Sequence, residues 1–249
     1  MSGRTGQIRI VLIRPSHPGN IGATARAMWT MGFQQLYLVE PDIFPSDVAV
    51  ARATGADHIL QKAVVCADLD AALQDVTLVL ATSARQRSVT WPVMSPRIAM
   101  QTAWQATERG QVAILFGREN SGLSNAELDR ANIHVTVPVN AAFHSLNLAS
   151  AVQIMTYELR QVMLGQVPSP SPASTDAKDQ AASAVSIEQF FVHLEQVLHA
   201  VEFIKAPNSS RLFRKIRRLF VRSGMSVDDV NIFRGILSSI EYQLQRKGK

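Results

Sequence analysis

At 249 residues the chain can build one large domain, or a domain of about 160 residues with a smaller module beside it. Hydrophobic residues make up 47% and mean hydropathy is only +0.05, so a core is available, yet no apolar run approaches the roughly 20 residues of a membrane span. The net charge of +5 and a pI near 9.7 suit a polyanionic partner, and the single cysteine, Cys66, excludes an intrachain disulfide and a Cys-rich zinc site.

The N-terminal Met-Ser-Gly-Arg-Thr-Gly-Gln lacks the apolar stretch of a signal peptide, which points to the cytoplasm. Residues 8–13 are apolar and β-branched and run into Pro-Ser-His-Pro-Gly, a strand closed by a loop. Residues 21–31 read as a helix with small residues on much of its surface, stopped by Gly32. Strands are expected at 36–39, 77–81, 112–116 and 134–139, the last closing around Pro138, and helical segments at 68–73, from 125, and over 146–164. Strands alternating with helices imply an α/β domain with a mainly parallel sheet over residues 1–164, with chemistry in the loops at the strand C-termini. From 165 to 186 the chain turns Pro/Ser/Ala-rich and reads as a flexible linker. Helical periodicity returns over 187–249, where Phe190, Phe191, Leu194, Val197, Leu198 and Val201 share a face. Arg211, Arg214, Lys215, Arg217, Arg218 and Arg222 concentrate cations in this small helical module, a pattern shared by nucleic-acid contacts and by solvated amphipathic helices.

Three segments at strand ends stand out. Pro18-Gly-Asn-Ile-Gly-Ala-Thr-Ala-Arg26 puts glycines and a helix start beside the polar Asn20 and Arg26, which suits a phosphate, although such loops often only turn a chain. Phe116-Gly-Arg-Glu-Asn-Ser-Gly-Leu-Ser124 carries two charges directly after a buried strand, as an active-site loop or a surface ion pair would. In Val137-Pro-Val-Asn-Ala-Ala-Phe-His-Ser-Leu-Asn-Leu-Ala149, Ser145 is the candidate N-cap and Asn147 falls inside the first turn of an apolar helix. His144 has the chemistry of a general base, but a lone loop histidine is usually just solvated.

Together these segments resemble the SPOUT methyltransferase superfamily, in its tRNA/rRNA 2′-O-methyltransferase branch, over residues 8–164. Ala81-Thr-Ser-Ala-Arg-Gln-Arg87, Trp91-Pro92 and Asn231-Ile-Phe-Arg-Gly-Ile-Leu237 are similar to the bacterial subfamily that methylates cytidine or uridine at position 32 of the tRNA anticodon loop. Ala141 and Ala142 depart from the Pro or acidic residues frequent in relatives, in a loop that lines the pocket.

The resemblance implies a deep C-terminal trefoil knot, an exception to the rule against threading. It implies S-adenosylmethionine held there by Thr82, Ser83, Ala84, Gly117, Val137, His144, Ser145 and Leu146, largely through backbone groups, with no metal. It also implies a homodimer in which Arg26 reaches the partner's knot. Arg26, Asn20, Glu119, Ser145 and Asn147 hold the catalytic positions: Arg26 accepts the ribose proton, or fixes a phosphate while solvent takes the proton, Asn20 and Glu119 orient Arg26 and the loop, and Ser145 and Asn147 bond the ribose or hold the motif. The basic module would grip tRNA phosphates, a contact that is salt-dependent and blind to sequence. Two rivals share these features: methylation of another tRNA or rRNA nucleotide, and a non-catalytic RNA-binding protein.

Overall fold

A computed structural model describes residues 2–83, 93–140, 142, 143, 145–165, 181–204 and 209–247. Two compact units divide the chain, Met1–Ser171 and Pro172–Lys249.

In the first unit the elements run α1 (Ser2–Thr5), β1 (Ile8–Ile13), α2 (Pro18–Met31), β2 (Gln35–Val39), α3 (Asp47–Ala53), α4 (Asp57–Gln61), β3 (Val64–Cys66), α5 (Leu69–Ala72), β4 (Val76–Thr82), β5 (Val93–Met94), α6 (Pro96–Ala106), β6 (Gln111–Phe116), α7 (Asn125–Leu128), β7 (Ile133–Val135) and α8 (Leu148–Met163). The strands form one parallel sheet in the order β3-β2-β1-β6-β4-β7-β5. This is the α/β architecture expected from the alternating pattern. A parallel sheet is covered on both faces, and β1 shows it: Ile10 and Leu12 face one way, Val11 and Ile13 the other, and all four are buried. Ile10, Leu12, Leu38, Ile114 and Phe116 join Met28, Met100, Val152 and Met155 in the main core between the sheet and α2, α6 and α8.

Local chemistry shifts several expected boundaries. Helix α2 starts at Pro18, three residues earlier than periodicity suggests, because His17 Nδ1 accepts from the Gly19 amide at 3.0 Å and Pro18 needs no hydrogen-bond acceptor at N1. Strand β7 ends at Val135, short of Pro138. Helix α8 begins at Leu148, and its N-cap is Asn147, not Ser145: the Asn147 Oδ1 accepts from the amides of Ala149 at 3.0 Å and Ser150 at 3.4 Å.

The second unit contains α9 (Ala184–Ala200), α10 (Ser209–Ser223) and α11 (Val227–Lys247). Helix α9 is capped by Ser183, whose hydroxyl accepts from the Ser186 amide at 3.1 Å, so residues 184–186 are helical. The rings of Phe190, Phe191, Phe213, Phe220 and Phe233 pack at 5.0 to 6.4 Å between centroids. No helix among the described residues is long and apolar enough to cross a membrane.

Candidate active site

The three polar segments converge through one carboxylate. Glu119, on the loop after β6, reaches the start of α2. There its Oε2 accepts from the Ser16 amide at 3.0 Å and the Ser16 hydroxyl at 2.9 Å, and its Oε1 accepts from Asn20 Nδ2 at 2.9 Å and the His17 amide at 3.3 Å. Asn20 Oδ1 in turn accepts from Asn147 Nδ2 at 3.0 Å. The chemistry dictates both amide orientations. An ionised carboxylate can only accept, so Asn20 turns its NH2 to Glu119, its oxygen takes the Asn147 NH2, and the Asn147 oxygen is left for the α8 amides. Burial pushes the Glu119 carboxyl up, but the hydrogen bonds from Asn20 and Ser16 outweigh it and hold the group below the ordinary carboxylate range. A carboxylate at a helix N-terminus also gains from the helix dipole.

The charges in Gly-Arg-Glu part company. Arg118 turns away from Glu119 and makes a two-pronged pair with Glu127 at 3.0 Å for each bond, while Glu127 also closes a capping box with Ser124 on α7. Burial raises the Glu127 carboxyl and the bonds from Arg118 and Ser124 lower it further, leaving it depressed. The turn between them is tight: a Cβ on Gly117 would lie 2.2 Å from the Gly122 carbonyl carbon and 2.3 Å from the Leu123 nitrogen, so only glycine fits. Arg118 therefore holds the loop, which leaves Glu119 aimed at α2.

Arg26 is exposed two turns along α2, and its guanidinium makes no hydrogen bond or ion pair among the described residues. Asn20 and Glu119 bond to each other, Glu119 also to Ser16 and Asn20 also to Asn147, so within one chain they tie the loop after β6 to the start of α2 and make no bond to Arg26. Sequence reasoning passed over Ser16 and His17; the signal was the Ser-His-Pro run, in which a proline at N1 makes the preceding residue a cap.

Of the expected cofactor residues, Thr82, Ser83, Gly117 and Val137 lie at or just past the carboxyl ends of three adjacent strands. Thr82 ends β4 and its hydroxyl donates to the Leu115 carbonyl at 2.9 Å. The Ser83 amide donates to the Val135 carbonyl at 3.0 Å, and its carbonyl accepts from the Thr136 hydroxyl at 2.9 Å. Gly117 follows β6, Val137 packs half-buried past β7, and Leu146 is half-buried just before α8 with Ser145 exposed beside it. Ala84 and His144 lie outside the described residues. Among the described residues no three His, Cys, Asp or Glu side chains gather as metal ligands.

In the second unit, Arg211, Lys215, Arg218 and position 222 fall along one line of α10, at helical spacings of four, three and four residues. Arg211 and Lys215 are exposed, Arg214 and Arg218 half-buried, and the Arg222 side chain lies outside the described residues. Arg217 corrects the expectation that it grips RNA. It is 8% exposed, stacks its guanidinium 4.4 Å over the Phe191 ring and makes a two-pronged pair with Glu188, at 3.1 and 2.5 Å. It shares its line of α10 with Phe213 and Phe220, four residues before it and three after, and turns with them toward the aromatic cluster.

A wound parallel sheet with its polar residues gathered at the strands' carboxyl ends defines an α/β protein that binds ligands along that edge. The chain belongs to the SpoU rRNA Methylase family, whose model matches residues 7–157, and residues 185–249 match the tRNA methyltransferase TrmJ C-terminal domain. It is similar to the Yersinia pestis tRNA (cytidine/uridine-2′-O-)-methyltransferase TrmJ, with 42% identity over 95% of this chain and 92% of that protein. The Pseudomonas aeruginosa tRNA (cytidine/uridine/adenosine-2′-O-)-methyltransferase TrmJ is also 42% identical, over 94% of each chain. The crystal structure of TrmJ from Z. mobilis superimposes with a TM-score of 0.80 at 36% identity, covering 94% of this chain and 98% of that one.

Proposed function

We propose that this chain is a homodimeric tRNA ribose methyltransferase that converts the 2′-hydroxyl of cytidine or uridine at position 32 of the anticodon loop to its methyl ether. The observation that carries the reading is the bonded series Asn147–Asn20–Glu119–Ser16, which joins three separate polar segments at the site edge. Relatives with TrmJ names cover both units of the chain, which supports the tRNA substrate. The P. aeruginosa relative's name adds adenosine to cytidine and uridine.

S-adenosylmethionine fits the donor set at the ends of β4, β6 and β7. Small hydroxyls, backbone groups and the apolar Val137 and Leu146 suit a neutral adenine and the aliphatic arms of a sulfonium. The Thr82 hydroxyl is already spent on Leu115, so Thr82 would hold the group through its main chain, as would Gly117. When bound, the group supplies an electrophilic methyl on a sulfonium, which needs no further activation. The knot belongs to the same reading: β7 lies between β4 and β5, so the chain returning after β6 enters between two strands that precede it in sequence.

The chain's own residues then have to deliver a weakly acidic hydroxyl. Arg26, exposed on α2, clamps the substrate phosphate and stabilises the developing alkoxide across the dimer. A guanidinium is a poor proton acceptor, so the ribose proton passes to solvent. Ser145, exposed before α8, contacts the ribose. Glu119, Asn20 and Asn147 position α2 against α8, and placement of two bound reactants is worth about 7–11 kcal/mol of barrier.

The test is methyl transfer from labelled S-adenosylmethionine to tRNA transcripts, with the product mapped to its nucleotide and oxygen. A 2′-O-methyl at position 32 that falls at least about 100-fold in Arg26→Ala is expected. Methylation elsewhere in tRNA or in rRNA replaces the site. Cofactor binding without transfer to any RNA replaces the reading by an RNA-binding role.

A further inference from the structure

Helix α11 has two apolar lines, and the second unit uses one of them. Val230 and Leu237 are buried, and the Phe233 ring packs 5.0 Å from that of Phe220. Beside that line, Ile232, Ile236, Ser239 and Gln243 follow at spacings of four, three and four residues, while Ile240 and Leu244 extend the line of Val230, Phe233 and Leu237 toward the helix end. Ile236, Ser239, Ile240, Gln243 and Leu244 line a shallow groove of about 330 Å³, and Ile232 and Ile236 are 61% and 50% exposed. Scattered exposed apolar residues need no explanation, but a continuous line of them marks an interface.

The charges on the line identify its occupant. Asp228, exposed, stands four residues before Ile232 at one end, and Arg246 stands three residues after Gln243 at the other, followed in sequence by Lys247 and Lys249. With Ile240 and Leu244 beside it, the line thus reads acidic, apolar, small, apolar, basic. Such a line complements its own reverse: set antiparallel, Asp228 meets the basic end, Ile232 meets Leu244, and Ile236 meets Ile240 around the small Ser239. Set parallel, like charges would stack. A polyanion suits it less, because the apolar middle offers phosphates nothing and Asp228 repels them. We infer that α11 is a self-association surface, on which a second copy of this chain docks its own α11 antiparallel, with the two-fold axis beside Ser239.

The inference does not depend on the catalytic reading. Cys66 is the chain's single cysteine and is buried, so an introduced thiol reports its own position. Ser239→Cys puts a thiol beside the proposed axis, and Ser238→Cys puts one about 100° around the helix. Oxidation of the full-length protein should give several-fold more covalent dimer with Ser239→Cys than with Ser238→Cys. Adding Ile236→Asp to Ser239→Cys should abolish it while circular dichroism and the melting curve remain those of the folded parent. Equal cross-linking at both positions, or none with Ser239→Cys, overturns the inference. So does a Ser239→Cys variant whose introduced thiol stays uncross-linked yet reacts slowly with maleimide, because the face would then be covered within its own chain. If Ile236→Asp unfolds the protein, the comparison of positions 238 and 239 decides alone.

Discussion

Glu119 is held by four donors: two from Ser16, one from His17 and one from Asn20. Those bonds depress its pKa, and the sign of the linkage follows. Their stability is fully present above the unfolded carboxylate value of about 4.3 and is lost as pH falls through the lower folded value. Glu119→Gln keeps the shape but leaves an NH2 facing donors, at a cost of about 1–3 kcal/mol. Urea titrations should therefore give the largest gap between parent and variant at neutral pH, closing below about pH 4. Glu127 titrates alike in both proteins and cancels, so a gap that ignores pH would mean that Glu119 is not the ionised hub. Asn147 separates two jobs in a similar way. Asn147→Ala loses the α8 cap, about 1 kcal/mol, together with the bond to Asn20. Asn147→Asp keeps an oxygen for the Ala149 and Ser150 amides but removes the donor to Asn20 Oδ1. The melting point should fall only in Asn147→Ala, whereas methyl transfer should fall in both; normal transfer by Asn147→Asp would reduce this residue to a cap.

Helices α2 and α8 were legible as elements because each buries a long apolar face, but their starts were not. The apolar pattern around Asn147 runs through it, and Ser145 is as good a cap by type, so only the geometry separates them. The polar segments could be read one by one, whereas the bond linking Asn20 to Glu119 spans 99 residues and no spacing rule reaches that far. Between residues 43 and 66 the pattern is nearly silent, since α3 and α4 are seven and five residues long and β3 is an edge strand with Val64 and Val65 exposed. The small residues of α2 gain their meaning from α3. A Cβ on Gly22 would lie 2.0 Å from the Ala49 carbonyl oxygen, a backbone atom that cannot swing aside. Gly22→Ala, normally helix-stabilising by roughly 1 kcal/mol, should here lower stability by about 1–3 kcal/mol, as read from the melting temperature. A raised melting temperature would show that α3 can retreat.

Across the whole molecule, the sheet edge that gathers the polar residues lies in one unit and the strongest basic helix in the other. A ribose methyltransferase needs a reactive edge and a grip on a polyanion, and a grip built on phosphates leaves its mark in salt dependence. The cations of α10 nevertheless do different work. Lys215 is exposed on the outward line, so Lys215→Ala should leave the fold intact and reduce the slope of log affinity for tRNA against log salt by about 0.7–0.9. Arg217 is tied to Glu188 and lies over Phe191, so Arg217→Ala removes a mostly buried ion pair's cation and opens the aromatic cluster, at a cost on the order of 3 kcal/mol. That variant should lose tRNA affinity only as its second unit melts, with an unaltered salt slope for the folded fraction. Filter binding over a salt series, paired with thermal unfolding of the full-length variants, separates the two. A reduced slope in Arg217→Ala with an unchanged melting curve would return Arg217 to the RNA-facing set. An unchanged slope in Lys215→Ala would take Lys215 out of the phosphate contacts.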